Sequence, residues 1–439
     1  MKVKTALLEF LSRYYLLILF LAFYPVMYDR VNGKPRGVIW SDCEGYYKYL
    51  PGLFIIGDFH KIPAGSVWPV KNDQGEILLK YTYGVSIFEA PFFLAARQYC
   101  IWKNQEPDDF FNRHYCRAIA IGGYCVGFLG LFFLRRGLLR YFSPAVTFWT
   151  LMCVFFGTNL FHYTVKEMGM SHVYSFCLMA FLVWHVPRFY ADPRWQKAAL
   201  LGGAAGWLIL IRPTNFAVLF FIALYDVYSW PDLKDRLAFW LQHRLQIGVA
   251  AGMAFLFFLP QMLYWHALLG KWVHYSYTDE KFIYWNQPKI AAVLFDVQNG
   301  LFIYSPLVLL MVIGIFMGLP QRKHQAPALL IIFIISTYLF ASWWAWWFGG
   351  AFGHRSYVEL YALLALPLGG LLERSWESRY SAIRWSMVAL TVLLMVYSVR
   401  LSFLYNILDG PWDGPDWRWN WEKLSWIWSH FFDFLKGGR

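Results

Sequence analysis

Hydrophobic residues in this chain come in long blocks rather than in strict alternation or short stripes. Tyr15–Val26, Ile119–Leu134 and Leu329–Leu339 are nearly uninterrupted apolar runs. Runs of about 17–25 mostly apolar residues match the hydrocarbon thickness of a bilayer when wound as α-helix. Basic clusters separate the blocks: Lys2/Lys4/Arg13, Arg135/Arg136/Arg140, Arg188/Arg194/Lys197, Lys234/Arg236/Arg244, Arg322/Lys323 and Arg374/Arg379/Arg384. Cytoplasmic loops carry the excess of Lys and Arg, so successive clusters are separated by an even number of crossings. About eleven crossings result from that rule. They are Tyr14–Tyr28, Cys116–Leu134, Pro144–Phe161, Val173–Val186, Ala198–Ile211 and Asn215–Tyr228, then Ile247–Tyr264, Gly300–Leu319, Pro327–Trp343, Ser356–Leu372 and Trp385–Leu404. The N-terminus is then cytoplasmic and the C-terminus outside.

One apolar stretch does not fit as a crossing. If Gly84–Ile101 spanned the membrane, Arg135, Arg136 and Arg140 would lie outside. The pattern therefore predicts a juxtamembrane or re-entrant helix within a long first outer loop, 29–115. The Trp-rich stretch 410–439 (Trp412, Trp417, Trp419, Trp421, Trp426, Trp428) predicts an amphipathic helix lying in the outer interface. No linker or repeat divides the chain, so 1–439 reads as one all-α polytopic membrane domain. The start, Met1-Lys2-Val3-Lys4 and an apolar run ending Tyr24-Pro25-Val26-Met27-Tyr28, lacks a small-residue cleavage site and reads as an uncleaved first helix.

Composition changes this picture in two ways. The chain is 59% hydrophobic and 15% charged, against about 25% charged in soluble domains, which excludes a soluble core. The net charge of +12 is spread over the loop clusters, so it is a topology signal rather than a nucleic-acid surface. Trp and Tyr at helix ends, among them Trp40, Trp68, Trp265, Trp272, Trp285 and Trp343–Trp347, read mainly as interface anchors. Six cysteines without CxxC spacing give no zinc or redox motif.

The unusual polar residues all fall on the outer face. Asp42 and Glu44, in Trp40-Ser41-Asp42-Cys43-Glu44-Gly45-Tyr46-Tyr47, lie just past the first helix. An acid there is expensive beside hydrocarbon; Asp42 either takes a proton from an attacking hydroxyl or caps the helix that follows. Lys80, in Lys80-Tyr81-Thr82-Tyr83-Gly84, either neutralises a phosphate or snorkels to the interface. Lys166, Glu167 and His172 either line a polar site or form a solvated turn. Arg212 stands alone at an outer turn without a nearby acid in sequence. Further on come His266, Lys271, His274, Asp279, Glu280 and Lys281, then Gly300 to Pro306 with Tyr304, and the Trp343–Tyr357 run with Trp347, His354 and Arg355. Glycines in that last run permit close backbone approach, and arginine binds phosphate bidentately.

One carboxylate with several scattered cations suits transfer of a sugar from a lipid phosphate to a hydroxyl. Asp42 takes the proton and the cations stabilise charge growing on the leaving phosphate. Lys80, Arg212, His354 and Arg355 are the candidate phosphate ligands; Tyr46, Tyr83, Glu167, His172, His266, Tyr304 and Trp347 are candidate substrate contacts. No cofactor is required, and a divalent metal is possible without being demanded. A lipid flippase or transporter would show two related halves and midplane charges; an outward-facing glycan polymerase or ligase would differ in product size.

Ser41–Tyr47, Lys80–Gly84, Gly300–Pro306 and Ser342–Tyr357 resemble the type-C (GT-C) membrane glycosyltransferases, nearest to the bacterial protein mannosyltransferase and aminoarabinose transferase-like group. That resemblance implies a GT-C-like bundle whose first outer loop carries juxtamembrane helices, a polyprenyl-phosphate sugar donor, inversion at the anomeric carbon, and an acceptor that is a protein, lipid or glycan. It implies Asp42 as base, Glu44 as a nearby alternative, and Lys80 on the donor phosphate. It also implies a bacterial inner-membrane location and transfer of a single sugar rather than a whole glycan. The chain departs from these relatives in carrying Leu79 where a metal-associated glutamate precedes the lysine, and Cys43 between the paired acids. It also has Glu167 and His172 where relatives often place an aspartate.

Overall fold

A computed structural model describes residues 2–34, 37–63, 70–71, 75, 77–408 and 420–433, with 2–13, 70 and 406–408 described by backbone alone. In chain order the first helices are α1 (Lys2–Asn32), α2 (Asp42–Tyr47), α3 (Tyr49–Pro51), α4 (Gly84–Lys103) and α5 (Arg113–Leu138). Next come α6 (Pro144–Phe156), α7 (Leu160–Val165), α8 (Ser171–Ala191), α9 (Trp195–Ile211), α10 (Val218–Ala223), α11 (Trp230–Gln242) and α12 (Arg244–Leu269). The remainder are α13 (Ile290–Phe295), α14 (Leu301–Tyr304), α15 (Leu307–Gln321), α16 (Ala326–Ser342), α17 (Tyr361–Trp376), α18 (Ser381–Leu408) and α19 (Trp421–Ser429). Strands β1 (Val70–Lys71) and β2 (Ile77–Leu78) pair as a small antiparallel hairpin.

Among the described residues five segments are long and apolar enough to cross a membrane: Tyr14–Asn32, Arg113–Leu138, Arg244–Leu269, Arg355–Trp376 and Ser381–Tyr405. Five shorter apolar helices run 10–17 residues. The architecture is that of an all-α integral membrane protein. It divides into two compact units, one of Met1–Gly137, Tyr163–Leu219 and Asp235–Glu280, the other of Leu138–His162, Phe220–Lys234 and Lys281–Arg439.

In the first unit α9 lies on α12 through small residues. A β-carbon added to Gly202 would stand 1.9 Å from the Ala250 carbonyl oxygen, and one at Gly206 would stand 2.5 Å from Ala254 Cα. Helices in lipid associate by such close packing because the solvent supplies no hydrophobic drive. Just beyond, Trp207 stacks on Phe88 at 4.1 Å and on Phe257 at 5.6 Å. Its indole N–H donates to the Gly84 carbonyl at 2.7 Å, and a β-carbon at Gly84 would meet the Ile211 nitrogen at 2.8 Å. The start of α4 is thus pinned to the end of α9. Similarly, α5 meets the turn before α8 at Gly123, whose absent β-carbon leaves room for the Met168 carbonyl.

The second unit is organised by a buried asparagine. The Asn159 backbone N–H donates to Ser305 Oγ at 3.1 Å, its amide nitrogen donates to the Phe352 carbonyl at 3.1 Å, and its carbonyl oxygen accepts from Tyr361 at 2.7 Å. A core of Tyr304, Phe352, Leu401, Leu404, Leu424 and Ile427 packs α14, α18 and α19 together. Gly314 of α15 sits against the Pro367 carbonyl of α17, where a β-carbon would come within 2.3 Å.

Several expected helices are interrupted. Pro144–Phe161 ends as α6 at Phe156, because Gly157 fits against Leu307 and Asn159 turns into the polar knot. Asn215–Tyr228 is reduced to a 3-10 turn, Pro213–Ala217, and α10. There Asn215 bonds sideways to Leu208 and Ser175, and Asp226 adopts φ 55°. Gly300–Leu319 breaks at Ser305-Pro306 into α14 and α15, since proline has no N–H for the helix ladder. The pattern also missed α11, which buries none of its residues; Arg236 and Trp240 rest on Tyr190. In the C-terminal stretch α19 forms at Trp421–Ser429, while Trp412, Trp417 and Trp419, like Trp68, lie outside the described residues.

The glycine contacts generate a test with opposite signs. Gly202→Ala should lower stability in detergent by about 1–3 kcal/mol through overpacking. Gly248→Ala, on the same helix pair with nothing within 4 Å of the new carbon, should be neutral or stabilising by about 0.5–1 kcal/mol. Equal melting shifts in thermal unfolding would refute the α9–α12 packing.

Candidate active site

Helix α2 begins with its acid. Ser41 ahead of it holds φ 49° and makes no side-chain capping bond, so Asp42 is the first helical residue rather than the cap. Asp42 Oδ1 accepts the Tyr81 hydroxyl at 2.7 Å. Tyr81 reaches it because residue 45 is glycine: a β-carbon there would stand 2.5 Å from the Tyr81 ring. Tyr46 completes the sandwich, its ring 4.7 Å from that of Tyr81.

The segment carrying Tyr81 is tied on all sides. The Leu79 N–H donates to the Tyr264 hydroxyl at 2.9 Å, and the Tyr49 hydroxyl donates to the Tyr81 carbonyl at 2.8 Å. Thr82 Oγ1 donates to the Leu210 carbonyl. The Tyr83 N–H donates to Gln261 at 3.0 Å and its hydroxyl to the Phe257 carbonyl at 2.6 Å. Tyr83 is therefore an anchor to α12.

Arg212 directly follows α9 and finds its partner in space. Its Nη1 lies 3.0 Å from Nδ1 and 3.3 Å from Nε2 of His172, the second residue of α8. A guanidinium only donates, so the imidazole nitrogen it bonds must accept. Tyr46 donates to Ser171 Oγ at 3.3 Å beside it. Asp42 and Arg212 act from opposite signs on the same phenols. Burial, then Asp42, hold the Tyr46 hydroxyl well above its ordinary range, with Arg212 opposing. Tyr81 is raised well above its range by burial first and Asp42 next. Tyr277 is pushed up to about 12 by burial, with Arg212 opposing and Asp42 and Glu280 adding. All three stay protonated across the physiological range, and Tyr46 and Tyr81 donate, to Ser171 and to Asp42.

Lys80 lies at the edge of this cluster. Its Nζ is 2.5 Å from Glu280 Oε1 and sits 5.6 Å and 5.2 Å from the ring centres of Tyr81 and Tyr277. The fold thus brings together Asp42 and Tyr46 of α2 with Lys80, His172 and Arg212, from four separate stretches of sequence. Glu280, one of the polar residues of the stretch His266–Lys281, joins them, and Tyr81, Ser171 and Tyr277 do so without having been singled out; the one local signal was Gly45 inside a short aromatic helix.

The other candidates have contacts of their own. Glu44 is buried in a 2.8 Å ion pair with Lys48 one turn on. Glu167 is buried in the turn before α8, its carbonyl accepting from Met170. His266 is exposed and stacks on Trp272 at 4.3 Å, because α12 continues to Leu269 and turns that face outward. In the second unit, Tyr304 donates to the Val297 carbonyl at 2.7 Å, and His354 Nε2 lies 3.1 Å from the Trp346 carbonyl. Arg355 opens the 3-10 turn Arg355–Leu360, and the Trp347 carbonyl accepts from Asn299 at 2.8 Å. Leu79, the residue ahead of Lys80, is buried. Among the described residues no group of three or more His, Cys, Asp or Glu side chains is arranged to hold a metal.

No protein-family model and no curated protein matches the sequence. Among solved structures, the chain is similar to the oligosaccharyltransferase AglB of the archaeon Archaeoglobus fulgidus, determined with an inhibitory peptide and a dolichol-phosphate. The TM-score is 0.50 at 11% identity, over 90% of this chain and 56% of that one. This chain has a GT-C-like fold. It spans little more than half the length of that enzyme, and at this identity the likeness concerns the fold alone.

The Gly45–Tyr81 contact is testable by a double-mutant cycle. Gly45→Ala should cost about 1–3 kcal/mol in the native background and far less with Tyr81→Ala, since the ring it strikes is gone. Strictly additive losses would show that the two positions do not touch.

Proposed function

We propose that the chain is a GT-C membrane glycosyltransferase of the mannosyl- or aminoarabinosyl-transferase type. On this reading it moves one sugar from a polyprenyl-phosphate carrier to an acceptor hydroxyl on the extracytoplasmic face of a bacterial inner membrane. The observation that carries the reading is Asp42, fixed by Tyr81 in one polar cluster with Arg212 and Lys80. Support also comes from the fold shared with an oligosaccharyltransferase whose structure contains a dolichol-phosphate.

The chemistry follows from these groups. The acceptor oxygen attacks the anomeric carbon on the face opposite the phosphate, so its configuration inverts. Its proton passes to Asp42 as the new C–O bond forms. The bond from the anomeric carbon to the phosphate oxygen breaks, and its electron pair leaves on the lipid phosphate. Lys80 and Arg212 stabilise that growing charge, which removes the need to protonate the leaving group. Tyr81 keeps Asp42 in one orientation, and geometry of this kind is what proton transfer to a positioned base requires. The acceptor is a protein, a lipid or a glycan.

Reconstituted protein given labelled polyprenyl-phosphate sugars and envelope acceptors tests the reading. Asp42→Asn should lower transfer by at least about 100-fold with donor binding and melting temperature unchanged, and products should grow by one sugar. Turnover at the native rate in that variant would overturn Asp42 as base. Labelled lipid crossing the bilayer without transfer would replace the transferase reading with that of a flippase.

A further inference from the structure

The segment that leaves α12 crosses the Asp42 cluster and is held there by its own ion pair. It starts at Gly270, whose φ of 65° ends the helix, and runs to Glu280. Its outer side chains are exposed: Trp272 by 50%, Val273 by 72% and Tyr275 by 51%. Its inner side chains engage the site. Ser276 donates to the Lys80 carbonyl, Tyr277 packs edge-on to Tyr81 with ring centres 6.0 Å apart, and Glu280 grips Lys80. Between them Thr278 holds φ 52°, a conformation that a β-branched residue seldom adopts and that the surroundings must enforce.

Charge explains why such a grip matters. Asp42 and Glu280 bring two negative charges to the cluster, and Lys80 and Arg212 bring two positive ones. A phosphodiester added to this balanced set would leave a negative charge uncompensated in a partly desolvated place, which is costly. Exchanging it for the Glu280 carboxylate keeps the balance. The exchange is sterically open, because the Lys80 and Glu280 side chains are 13% and 28% exposed at the rim of the cluster.

We propose that Glu280 is a built-in stand-in for substrate phosphate, and that residues 270–280 form a strap which a phosphate ester opens by displacing Glu280 from Lys80. Opening withdraws Tyr277 from beside Tyr81 and admits the acceptor to Asp42. The proposal rests on the reading of Lys80 as a phosphate ligand. The ligand class is a phosphate monoester or diester on an isoprenoid, and free phosphate shares the recognised chemistry.

Full-length protein in nanodiscs is titrated with farnesyl phosphate, farnesol and inorganic phosphate, with amide hydrogen exchange followed in residues 270–280. If the closed strap is about 90% populated, Glu280→Gln should bind farnesyl phosphate about tenfold more tightly. Its strap amides should exchange as fast without ligand as those of the native protein do when saturated. Lys80→Ala should lose the preference for farnesyl phosphate over farnesol. Inorganic phosphate that speeds strap exchange in the native protein would support the proposal and show that the head group suffices. Unchanged or weaker binding in Glu280→Gln would overturn the strap while leaving Lys80 as a phosphate ligand, with Glu280 merely orienting it. Equal tightening toward farnesol would also overturn it, by tracing the effect to the chain rather than the charge. Native phosphate binding in Lys80→Ala would instead refute the Lys80 reading on which the proposal stands.

Discussion

The hydrogen bond from Tyr81 to Asp42 is the constraint around which the first unit is arranged. A carboxylate at the end of apolar helices loses much of its water and needs fixed partners in exchange. Tyr81 provides one, but only because α2 carries a glycine where the phenol ring lies against it. The ring is held in turn by the Lys80–Tyr83 segment, in which the Thr82 hydroxyl donates to Leu210 of α9, and the Tyr83 N–H and hydroxyl donate to Gln261 and Phe257 of α12. Those two helices are locked together at Gly202 and Gly206. Small-residue packing between helices thus reaches the carboxylate through an unbroken series of contacts.

The same economy governs where helices stop. Backbone that leaves the helical ladder at membrane depth is tolerated only where protein satisfies it. At Gly157–Asn159 and Ser305-Pro306 the two breaks satisfy each other, Ser305 accepting the Asn159 N–H and Tyr361 closing the knot. At Arg212–Asn215 the break is satisfied by Asn215, and it sets Arg212 free of the ladder to meet His172. An interruption that weakens a helix is what carries a cation into the site.

Electrostatically the site is a balanced set of ionised groups interleaved with phenols held protonated by burial. Tyr46 and Tyr81 donate without becoming charged, and Tyr277 is likewise held protonated. Such a site suits the proposed reaction, in which one proton arrives and one phosphate leaves. It needs only groups that stay in place while charge moves between them.

Much of the fold was legible in the sequence because membrane solvent imposes a simple rule on it. Apolar blocks had to become helices, and basic clusters had to punctuate them. Asp42, Lys80 and Arg212 stood out for the same reason, as ionisable residues near hydrocarbon. What sequence could not supply was which of them meet. Spacing along a chain carries no information about contacts between residues 40 or 200 positions apart, such as His172 with Arg212 or Lys80 with Glu280. Glu44 and His266 carry chemically suitable groups, yet packing gave one to Lys48 and turned the other outward onto Trp272. The apolar pattern determined that this chain is a helical membrane protein and marked out its few ionisable residues near hydrocarbon. Only tertiary packing, through glycines at Gly45, Gly84 and Gly202, decided which of those residues form one site.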